Sequence, residues 1–331
     1  MYFKRMCLFL LILFVFTVVF AYAQQVYIVG WIAGDNHKAV YWLNGVLTEL
    51  PSIGSMPWAS AIAFSGSNVY IVGRDDGNAV YWLNGIRTVL SKTSSGAFAS
   101  ASASDIAISG SNIYIVGSDG DDAVYWLNGI RTVLPKTGRR ASASAIAISG
   151  SNVYITGRDG DDNVYWLNSV RTVLPRTTSG ESRFPPSAIA ISGNNVYIIG
   201  WDGYESVYWL NGVRTVLEGY DEEYTDASAI AISGSNVYIT GNSGIFDSIF
   251  IRRQREIPLY WLNGKINVLQ NDRNSSNRNV EYRASASAIA ISGSNVYIAG
   301  IDGGRAVYWL NGVRTVLPGE GFLAVTAIGI R

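Results

Sequence analysis

The stretch from Ser144 to Leu174 reads SAIAISGSNVYITGRDGDDNVYWLNSVRTVL, and it decides the fold. It holds four short segments, here named a (Ser-Ala-Ile-Ala-Ile-Ser), b (Val-Tyr-Ile-Thr), c (Asn-Val-Tyr-Trp-Leu) and d (Arg-Thr-Val-Leu). β-Branched and aromatic residues of this kind favour strands. Between the segments lie the turn formers Gly150-Ser151-Asn152, Asp159-Gly160 and Asn168-Ser169. Such residues close tight hairpins, so the stretch predicts four antiparallel strands joined by short turns.

The same unit recurs along the chain. Segment b repeats with its tyrosine at Tyr27, Tyr70, Tyr114, Tyr154, Tyr197, Tyr238 and Tyr297. Segment c repeats with its tryptophan at Trp42, Trp82, Trp126, Trp166, Trp209, Trp261 and Trp309. Successive tryptophans are 40, 44, 40, 43, 52 and 48 residues apart. A four-stranded unit repeated at this spacing is typical of a propeller, so we predict an all-β, seven-bladed β-propeller with four antiparallel strands per blade.

The repeat array does not begin and end at the boundaries of the four-segment unit. The array begins on a segment of type b, Val26 to Val29, and ends on a segment of type a, Thr326 to Arg331. We therefore expect the first blade to be closed by the C-terminal strand. Closure of this kind removes the free edges that an open array would expose.

The N-terminus has the pattern of a secretory signal peptide. Lys4 and Arg5 precede an apolar run from Met6 to Phe20, and Ala21-Tyr22-Ala23 follows it. We predict a signal peptide at residues 1–23 and a propeller domain at residues 24–331. An uncleaved anchor is the alternative, although the run is shorter than the ~20 residues that a spanning helix needs. The expected location is the periplasm, the cell surface or the medium of a bacterium, with no membrane span after cleavage.

Charge and residue types narrow the chemistry. The formal net charge is +0, and removal of Lys4 and Arg5 with the signal peptide leaves a slightly acidic chain. We expect no nucleic-acid partner, because nothing attracts a polyanion strongly. Cys7, the one cysteine, lies in the signal peptide, which excludes disulfides and thiol chemistry from the rest. The one histidine, His37, lies in a loop. We expect a monomer without a cofactor.

The repeat resembles those of known propellers. The order of the segments is similar to that of WD and Kelch repeats, but the Gly-His and Trp-Asp pairs and the Kelch glycine pairs are missing. The block Tyr81-Trp-Leu-Asn-Gly85 and its copies resemble exported bacterial propellers whose repeats carry Tyr-Trp-x-Asn-Gly. This resemblance covers nearly all of residues 24–331, and it implies a fold but no activity.

Comparison of the copies separates two faces of the disc. The a-to-b and c-to-d turns are short and almost invariant, and their end of the disc is here called the constant face. The b-to-c and d-to-a loops hold nearly all the variation, and their end is called the variable face. Loops that vary on a rigid repeated scaffold are the usual place for recognition, so we expect the variable face to bind a protein or a glycan. Drift in unconstrained loops is the alternative.

Aromatic residues on the variable face are the first candidate ligand contacts. Aromatic rings offer apolar area at little entropic cost. The candidates are Trp31, Trp58, Phe184, Trp201, Tyr204, Tyr220 and Tyr224. In blade six the b-to-c loop expands to Asn242 through Ile257 and adds Phe250, Arg252 and Arg253. We predict a partner site there; a hairpin that only caps the disc is the alternative.

A carboxylate in segment a supplies a further hypothesis about ligand binding. Asp105 replaces the alanine that the other copies of segment a carry, and an acid in that inner layer needs a partner or water. It is a candidate ligand residue at the channel mouth, with local satisfaction as the alternative. A carbohydrate-active enzyme that uses carboxylates or tyrosines remains the alternative function, although the sequence nominates no second acid.

The Asp-Gly turns and the arginines of segment d can each be explained by a structural role. The Asp-Gly hairpins, such as Asp75-Asp76-Gly77, offer oxygen ligands for calcium, but ordinary turn chemistry explains them as well. One arginine opens segment d in five copies, and its even spacing predicts a solvated, structural position on the outer rim. These arginines are Arg87, Arg131, Arg171, Arg214 and Arg314.

Overall fold

The computed structural model describes residues 24–34, 37–92, 100–177, 184–203, 205–220, 224–247, 252–272 and 283–331. The regular structure of these residues is strand, and it forms seven four-stranded antiparallel sheets in a ring. The predicted all-β, seven-bladed propeller is therefore confirmed. Residues 1–23, the predicted signal peptide, lie outside this range. A search of the described residues for a helix of the length and apolarity that a membrane crossing requires found none.

Each blade consists of segments a, b, c and d in spatial order. The strands of blade 1 are β1 (Val26–Ala33), β2 (Lys38–Leu43) and β3 (Val46–Glu49), completed by the last strand of the chain. Blade 2 contains β4 (Trp58–Ser65), β5 (Asn68–Asp75), β6 (Asn78–Leu83) and β7 (Ile86–Val89). Blade 3 contains β8 (Ala101–Ser109), β9 (Asn112–Asp119), β10 (Asp122–Leu127) and β11 (Ile130–Val133).

The remaining blades repeat the pattern. Blade 4 contains β12 (Ala141–Ser149), β13 (Asn152–Asp159), β14 (Asp162–Leu167) and β15 (Val170–Val173). Blade 5 contains β16 (Ala188–Ser192), β17 (Asn195–Asp202), β18 (Glu205–Leu210) and β19 (Val213–Val216). Blade 6 contains β20 (Tyr224–Ser233), β21 (Asn236–Asp247), β22 (Arg252–Leu262) and β23 (Lys265–Val268). Blade 7 contains β24 (Ala284–Ser292), β25 (Asn295–Asp302), β26 (Arg305–Leu310) and β27 (Val313–Val316), and β28 (Phe322–Ile330) follows.

The C-terminal strand closes the ring, as the sequence predicts. β28 pairs antiparallel with β1, and the register runs from Val26 opposite Ile330 to Ala33 opposite Phe322. Beyond the strands, the Gln25 N–H donates to the Arg331 carbonyl at 2.7 Å, and the Arg331 N–H donates to the Gln25 carbonyl at 2.9 Å. The innermost strand of blade 1 therefore comes from the opposite end of the chain from its other three strands.

The constant face is held together by the asparagine of the Tyr-Trp-Leu-Asn block. Asn84 and Gly85 both have positive φ, 51° and 84°, which is the geometry of a type I′ hairpin turn. The Asn84 side chain accepts a hydrogen bond from the Val69 N–H at 2.9 Å and donates one to Asn68 Oδ1 at 3.0 Å. The c-to-d turn is thereby tied to the a-to-b turn of the same blade. This double role explains why the asparagine recurs in every copy.

The repeated tryptophans fill the junctions between blades. Trp126 is 0% exposed, and its Nε1 donates to the Ser91 carbonyl of the preceding blade at 2.7 Å. Each of the other six makes the equivalent bond to the residue that follows segment d of the preceding blade. These rings therefore belong to the buried core between neighbouring blades. Each ring adds one directional bond to the apolar contact between neighbouring blades.

Candidate functional site on the variable face

Buried ion pairs underlie the variable face in five blades. The last aspartate of segment b meets the arginine of segment d, and the carboxylates are 0–2% exposed. The pairs are Asp75–Arg87, Asp119–Arg131, Asp159–Arg171, Asp202–Arg214 and Asp302–Arg314. The predicted solvated position of these arginines is wrong, because their side chains are only 12–17% exposed. A guanidinium can lie there because a carboxylate neutralises it.

The same carboxylates anchor the d-to-a loops. Asp159 accepts hydrogen bonds from the Thr137 N–H at 2.8 Å, the Thr137 hydroxyl at 3.0 Å and the Gly138 N–H at 2.7 Å. Burial acts to raise the pKa of Asp159, but the bonds from Thr137, Gly138 and Arg171 outweigh it and hold that pKa below its ordinary value. Asp75 holds Ile53 and Gly54 in the same way. These loops are therefore fixed to the blade beneath them.

Blades 1 and 6 replace both members of the pair together. Blade 1 has Ile32 and Leu47 at the two positions, and both pack against its apolar cluster. Blade 6 has Ser243 and Ile266 there. Losing one partner of a buried ion pair leaves an uncompensated charge, whereas replacing both partners costs little. The paired replacement supports a structural role for the ion pairs.

A polar cleft opens at the junction of blades 3 and 4. Its volume is about 910 Å³, within the range typical of small-molecule sites. The charged groups on its walls are Arg139, Arg140, Arg158, Arg176, Asp161 and Asp162, above the buried Asp159. The rest of the lining is serine, threonine, glycine and one alanine. No aromatic or large aliphatic side chain therefore lines the cleft.

The cleft arginines differ in how far they are engaged. Arg158 Nε donates to the Gly160 carbonyl at 2.7 Å, and its Nη2 lies 3.5 Å from Asp161 Oδ1. Arg176 Nη2 lies 3.9 Å from Asp162 Oδ1, and Arg140 Nε lies 2.8 Å from the exposed Asp121. Arg139 is exposed and has no ion pair with any described residue. One guanidinium at the cleft is thus available to a ligand.

Sequence reasoning missed this cleft, although a signal was present. Arg139-Arg140 is the one pair of adjacent arginines in any d-to-a loop. Its meaning depends on Arg158 and Arg176, which come from a hairpin and from the next loop. The fold of blade 4 brings these three segments together.

The aromatic candidates divide into packed and accessible rings. Trp201 is 5% exposed, and Tyr224 lies against it with ring centroids 4.7 Å apart. The Trp201 indole therefore packs between blades 5 and 6, where its Nε1 donates to Asp226 Oδ1 at 3.2 Å. Phe184, 52% exposed, covers the outer side of this cluster with a centroid distance of 6.0 Å. Tyr220 is half-buried against the apolar cluster that includes Leu217 and Trp261.

Two further aromatic candidates lie on blades 1 and 2. Trp31 is half-buried and stacks on His37 with ring centroids 5.7 Å apart. Trp58 is 39% exposed, and the Arg74 guanidinium lies 5.8 Å from its ring. Their roles as ligand contacts remain predictions, like those of Phe184, Tyr220 and Tyr224. Tyr204 lies outside the described residues.

The expansion in blade 6 is mostly strand. β21 and β22 are 12 and 11 residues long, and their pairing continues to Asp247 opposite Arg252. The sequence predicts an expanded loop from Asn242 to Ile257, whereas the structure extends the hairpin itself. The backbones of Arg252 and Arg253 belong to β22, and Phe250 lies outside the described residues.

Asp105 is satisfied within the inner layer. Its Oδ1 accepts from the Ile106 N–H at 2.8 Å, and its Oδ2 accepts from the Ile146 N–H of blade 4 at 2.9 Å. Burial raises the pKa of Asp105 to about 6, despite the lowering effect of the Ile146 and Ile106 bonds. Its role as a ligand residue remains a prediction. No group of three or more potential metal-ligating side chains occurs among the described residues.

Comparisons with known proteins support the fold alone. No family model matches the chain, and no curated protein matches it. Two solved structures named "putative 6-phosphogluconolactonase" are similar in fold. The one from Bacteroides uniformis has a TM-score of 0.52 at 12% identity and covers 93% of this chain and 99% of its own. The one from Bacteroides fragilis has a TM-score of 0.50 at 14% identity and covers 93% and 98%.

A third structure is the extracellular domain of a "putative hybrid two component system" from B. thetaiotaomicron. It has a TM-score of 0.52 at 10% identity, and the match covers 83% of this chain and 36% of that one. At these identities only the architecture carries over. The kinship with exported Tyr-Trp-x-Asn-Gly propellers remains a prediction.

Proposed function

We propose that this propeller is an exported recognition module that binds a protein or glycan ligand through its variable face. The observation that carries the proposal is the way in which loops of that face are held. Buried aspartates fix the d-to-a loops to the blades, while Arg139 of the cleft above is exposed and has no ion pair with any described residue. A binding surface that is ordered before the ligand arrives loses less entropy on binding.

The constant face supports the proposal by contrast. Its short turns are tied to one another by the repeated asparagines, as at Asn84 and Asn128, and they leave little scope for variation. Variation and concavity coincide on the opposite face, where the cleft lies. The carboxylates of the cleft are engaged by arginines, as Asp161 is by Arg158 and Asp162 by Arg171. No further observation favours catalysis over binding.

The absence of cysteine from residues 24–331 makes a test by site-directed blocking straightforward. Single cysteines placed at exposed positions can be coupled to a bulky polyethylene glycol maleimide. Met56→Cys and Phe184→Cys lie in loops of the variable face, and Ser111→Cys and Ser151→Cys lie in turns of the constant face. Ligands are found by screening glycan and protein arrays with unmodified residues 24–331.

We expect the label to abolish ligand capture at one or both variable-face positions and to leave it intact at Ser111→Cys and Ser151→Cys. Melting temperatures of the labelled proteins check that each remains folded. Loss of capture from the constant-face labels alone would overturn the proposal. So would a ligand whose capture no label affects.

A further inference from the structure

We propose that the cleft at the junction of blades 3 and 4 binds an acidic sugar, a saccharide that bears a carboxylate or phosphate group. The anionic group would pair with Arg139 and Arg176, and the hydroxyls would bond to the polar walls. This inference rests on the proposed recognition function and names the ligand class for one site on the variable face.

The charge of the cleft selects an anion. Four arginines and three aspartates line it, and Asp159 is already neutralised by the buried Arg171. Four positive charges therefore face the two negative charges of Asp161 and Asp162. Arg140 also pairs with Asp121, but both side chains are at least half exposed, so that pair is weak. The local excess is positive although the formal net charge of the chain is +0.

The arginines come from three segments that converge. Arg139 and Arg140 lie in the loop that leads into blade 4, Arg158 lies in β13, and Arg176 lies in the loop that leaves blade 4. The first loop is fixed by the bonds from Thr137 and Gly138 to Asp159. Arg139 is therefore carried on an anchored backbone with its guanidinium unpaired among the described residues. A carboxylate or phosphate offers the two oxygens that a guanidinium binds best.

The remaining walls favour a saccharide over a peptide or a lipid. The lining contains no aromatic and no aliphatic side chain larger than alanine, so no large apolar side chain is there to pack against a lipid tail or a hydrophobic side chain. It does offer carboxylate oxygens at Asp161 and Asp162 and hydroxyls at Ser118, Thr137 and Ser142. Groups of both kinds accept or donate hydrogen bonds to sugar hydroxyls. The volume of about 910 Å³ accommodates a small saccharide.

Calorimetric titration of residues 24–331 with four probes tests the inference. The probes are glucose 6-phosphate, glucuronate, glucose and inorganic phosphate. We expect at least one acidic sugar to bind at least tenfold more tightly than both glucose and phosphate. Arg139→Gln and Arg176→Gln should each weaken that binding about tenfold or more, because each removes a charged hydrogen bond. Higher salt should weaken it too.

Arg305→Gln is the matched control. Arg305 is an exposed arginine at the start of β26 in blade 7, on the same face but across the ring from the cleft. Its replacement should leave the affinity unchanged. Melting temperatures of all three variants should match that of the parent, because none of these arginines is buried.

Each other outcome overturns the inference in a defined way. If phosphate binds as tightly as glucose 6-phosphate and glucuronate does not bind, the cleft is a simple anion site. If glucose binds as tightly as the acidic sugars, the arginines do not select the ligand. If Arg305→Gln lowers the affinity as much as Arg139→Gln, the site lies elsewhere. If no probe binds while the cysteine labels still block another ligand, the sugar assignment fails and the proposed function stands.

Discussion

Asp105 shows what one residue can change within a repeated scaffold. The six other copies of segment a have alanine at this position, and an alanine offers no side-chain acceptor to neighbouring N–H groups. Asp105 instead bridges blades 3 and 4 through Ile106 and Ile146. The residue is half-buried, and its charge is poorly solvated.

The stability contribution of Asp105 depends on pH in a direction that its pKa fixes. The pKa is about 6 in the folded protein, against an ordinary value of 3.8 for an aspartate. The folded state therefore holds the proton more tightly, and stability falls as pH rises from about 4 to about 6. A shift of this size corresponds to about 3 kcal/mol, which we reduce to about 1–2 kcal/mol because the side chain is partly exposed. Asp105→Ala should remove this penalty.

Urea unfolding at pH 4 and pH 7 measures the effect. The free energy gained by Asp105→Ala, relative to the parent, should be about 1–2 kcal/mol greater at pH 7 than at pH 4. The exposed Glu218→Ala serves as the control and should show no such difference. A gain that is equal at both pH values would show that the Asp105 charge carries no penalty.

The buried tryptophans give a second prediction at the scale of the residue. Trp126→Ala should lower the free energy of unfolding by about 3–5 kcal/mol, because it opens a cavity and removes the bond to the Ser91 carbonyl. Trp58→Ala is the control, since that ring is 39% exposed and the Arg74 guanidinium lies 5.8 Å from its centroid. Trp58→Ala should lower the free energy of unfolding by less than about 1 kcal/mol. Chemical denaturation followed by far-ultraviolet circular dichroism compares the two, and similar losses would refute the assignment of Trp126 to the junction.

At the scale of the element, the Asp–Arg pair joins three pieces of structure. Asp159 ends β13, Arg171 lies in β15, and Thr137 and Gly138 belong to the loop from the preceding blade. Blade 1 carries an aliphatic version of the same junction, Ile32 with Leu47. The chain therefore contains both solutions to one packing problem.

A double-mutant cycle exploits this internal precedent. Arg171→Leu alone should cost about 3–5 kcal/mol of unfolding free energy, because it leaves the Asp159 carboxylate buried without its cation. Asp159→Ile combined with Arg171→Leu reproduces blade 1 and should cost less than the sum of the single changes by at least about 1 kcal/mol. Thermal and urea unfolding of the four proteins provide the numbers. Additive losses would mean that the two side chains act independently.

Features that local sequence determines could be predicted, whereas contacts between residues far apart in the chain could not. The strands, the hairpins and the closing strand follow from local periodicity and turn chemistry, and the sequence predicts them with nearly the observed bounds. The burial of Arg171 could not be predicted, because its partner Asp159 lies 12 residues away on a strand that is not its direct neighbour. Trp201 resembles a surface ring in sequence, but Tyr224 of the next blade covers it. The cleft depends on two loops and a strand that meet only when blade 4 is folded.

At the scale of the whole molecule, the fold depends on ring closure by β28. Deleting the last eight residues, 324–331, removes most of β28 and exposes the edge of β1 along its length. We expect the truncated protein to unfold or to form oligomers through that edge. Light scattering after size exclusion and the melting temperature measure the change.

A peptide that spans residues 320–331 provides the control for this truncation. Added in trans, it should restore a monomer with a melting temperature close to that of the intact protein, since it supplies the missing strand. A truncated protein that stays monomeric with an unchanged melting temperature would contradict the role of β28 in closure.

The offset between the sequence repeat and the blade also bears on how such a gene can change. The chain begins one strand into a blade and finishes with the strand that it skipped, so β28 and β1 form the one inner pair that no a-to-b turn connects. A duplication or loss of one repeat unit between them adds or removes a complete four-stranded blade, wherever in the repeat the breakpoint falls. β28 still pairs with β1 after such a change, because that pairing lies within one blade. Recombination can therefore change the number of blades without a further mutation in β28 or β1.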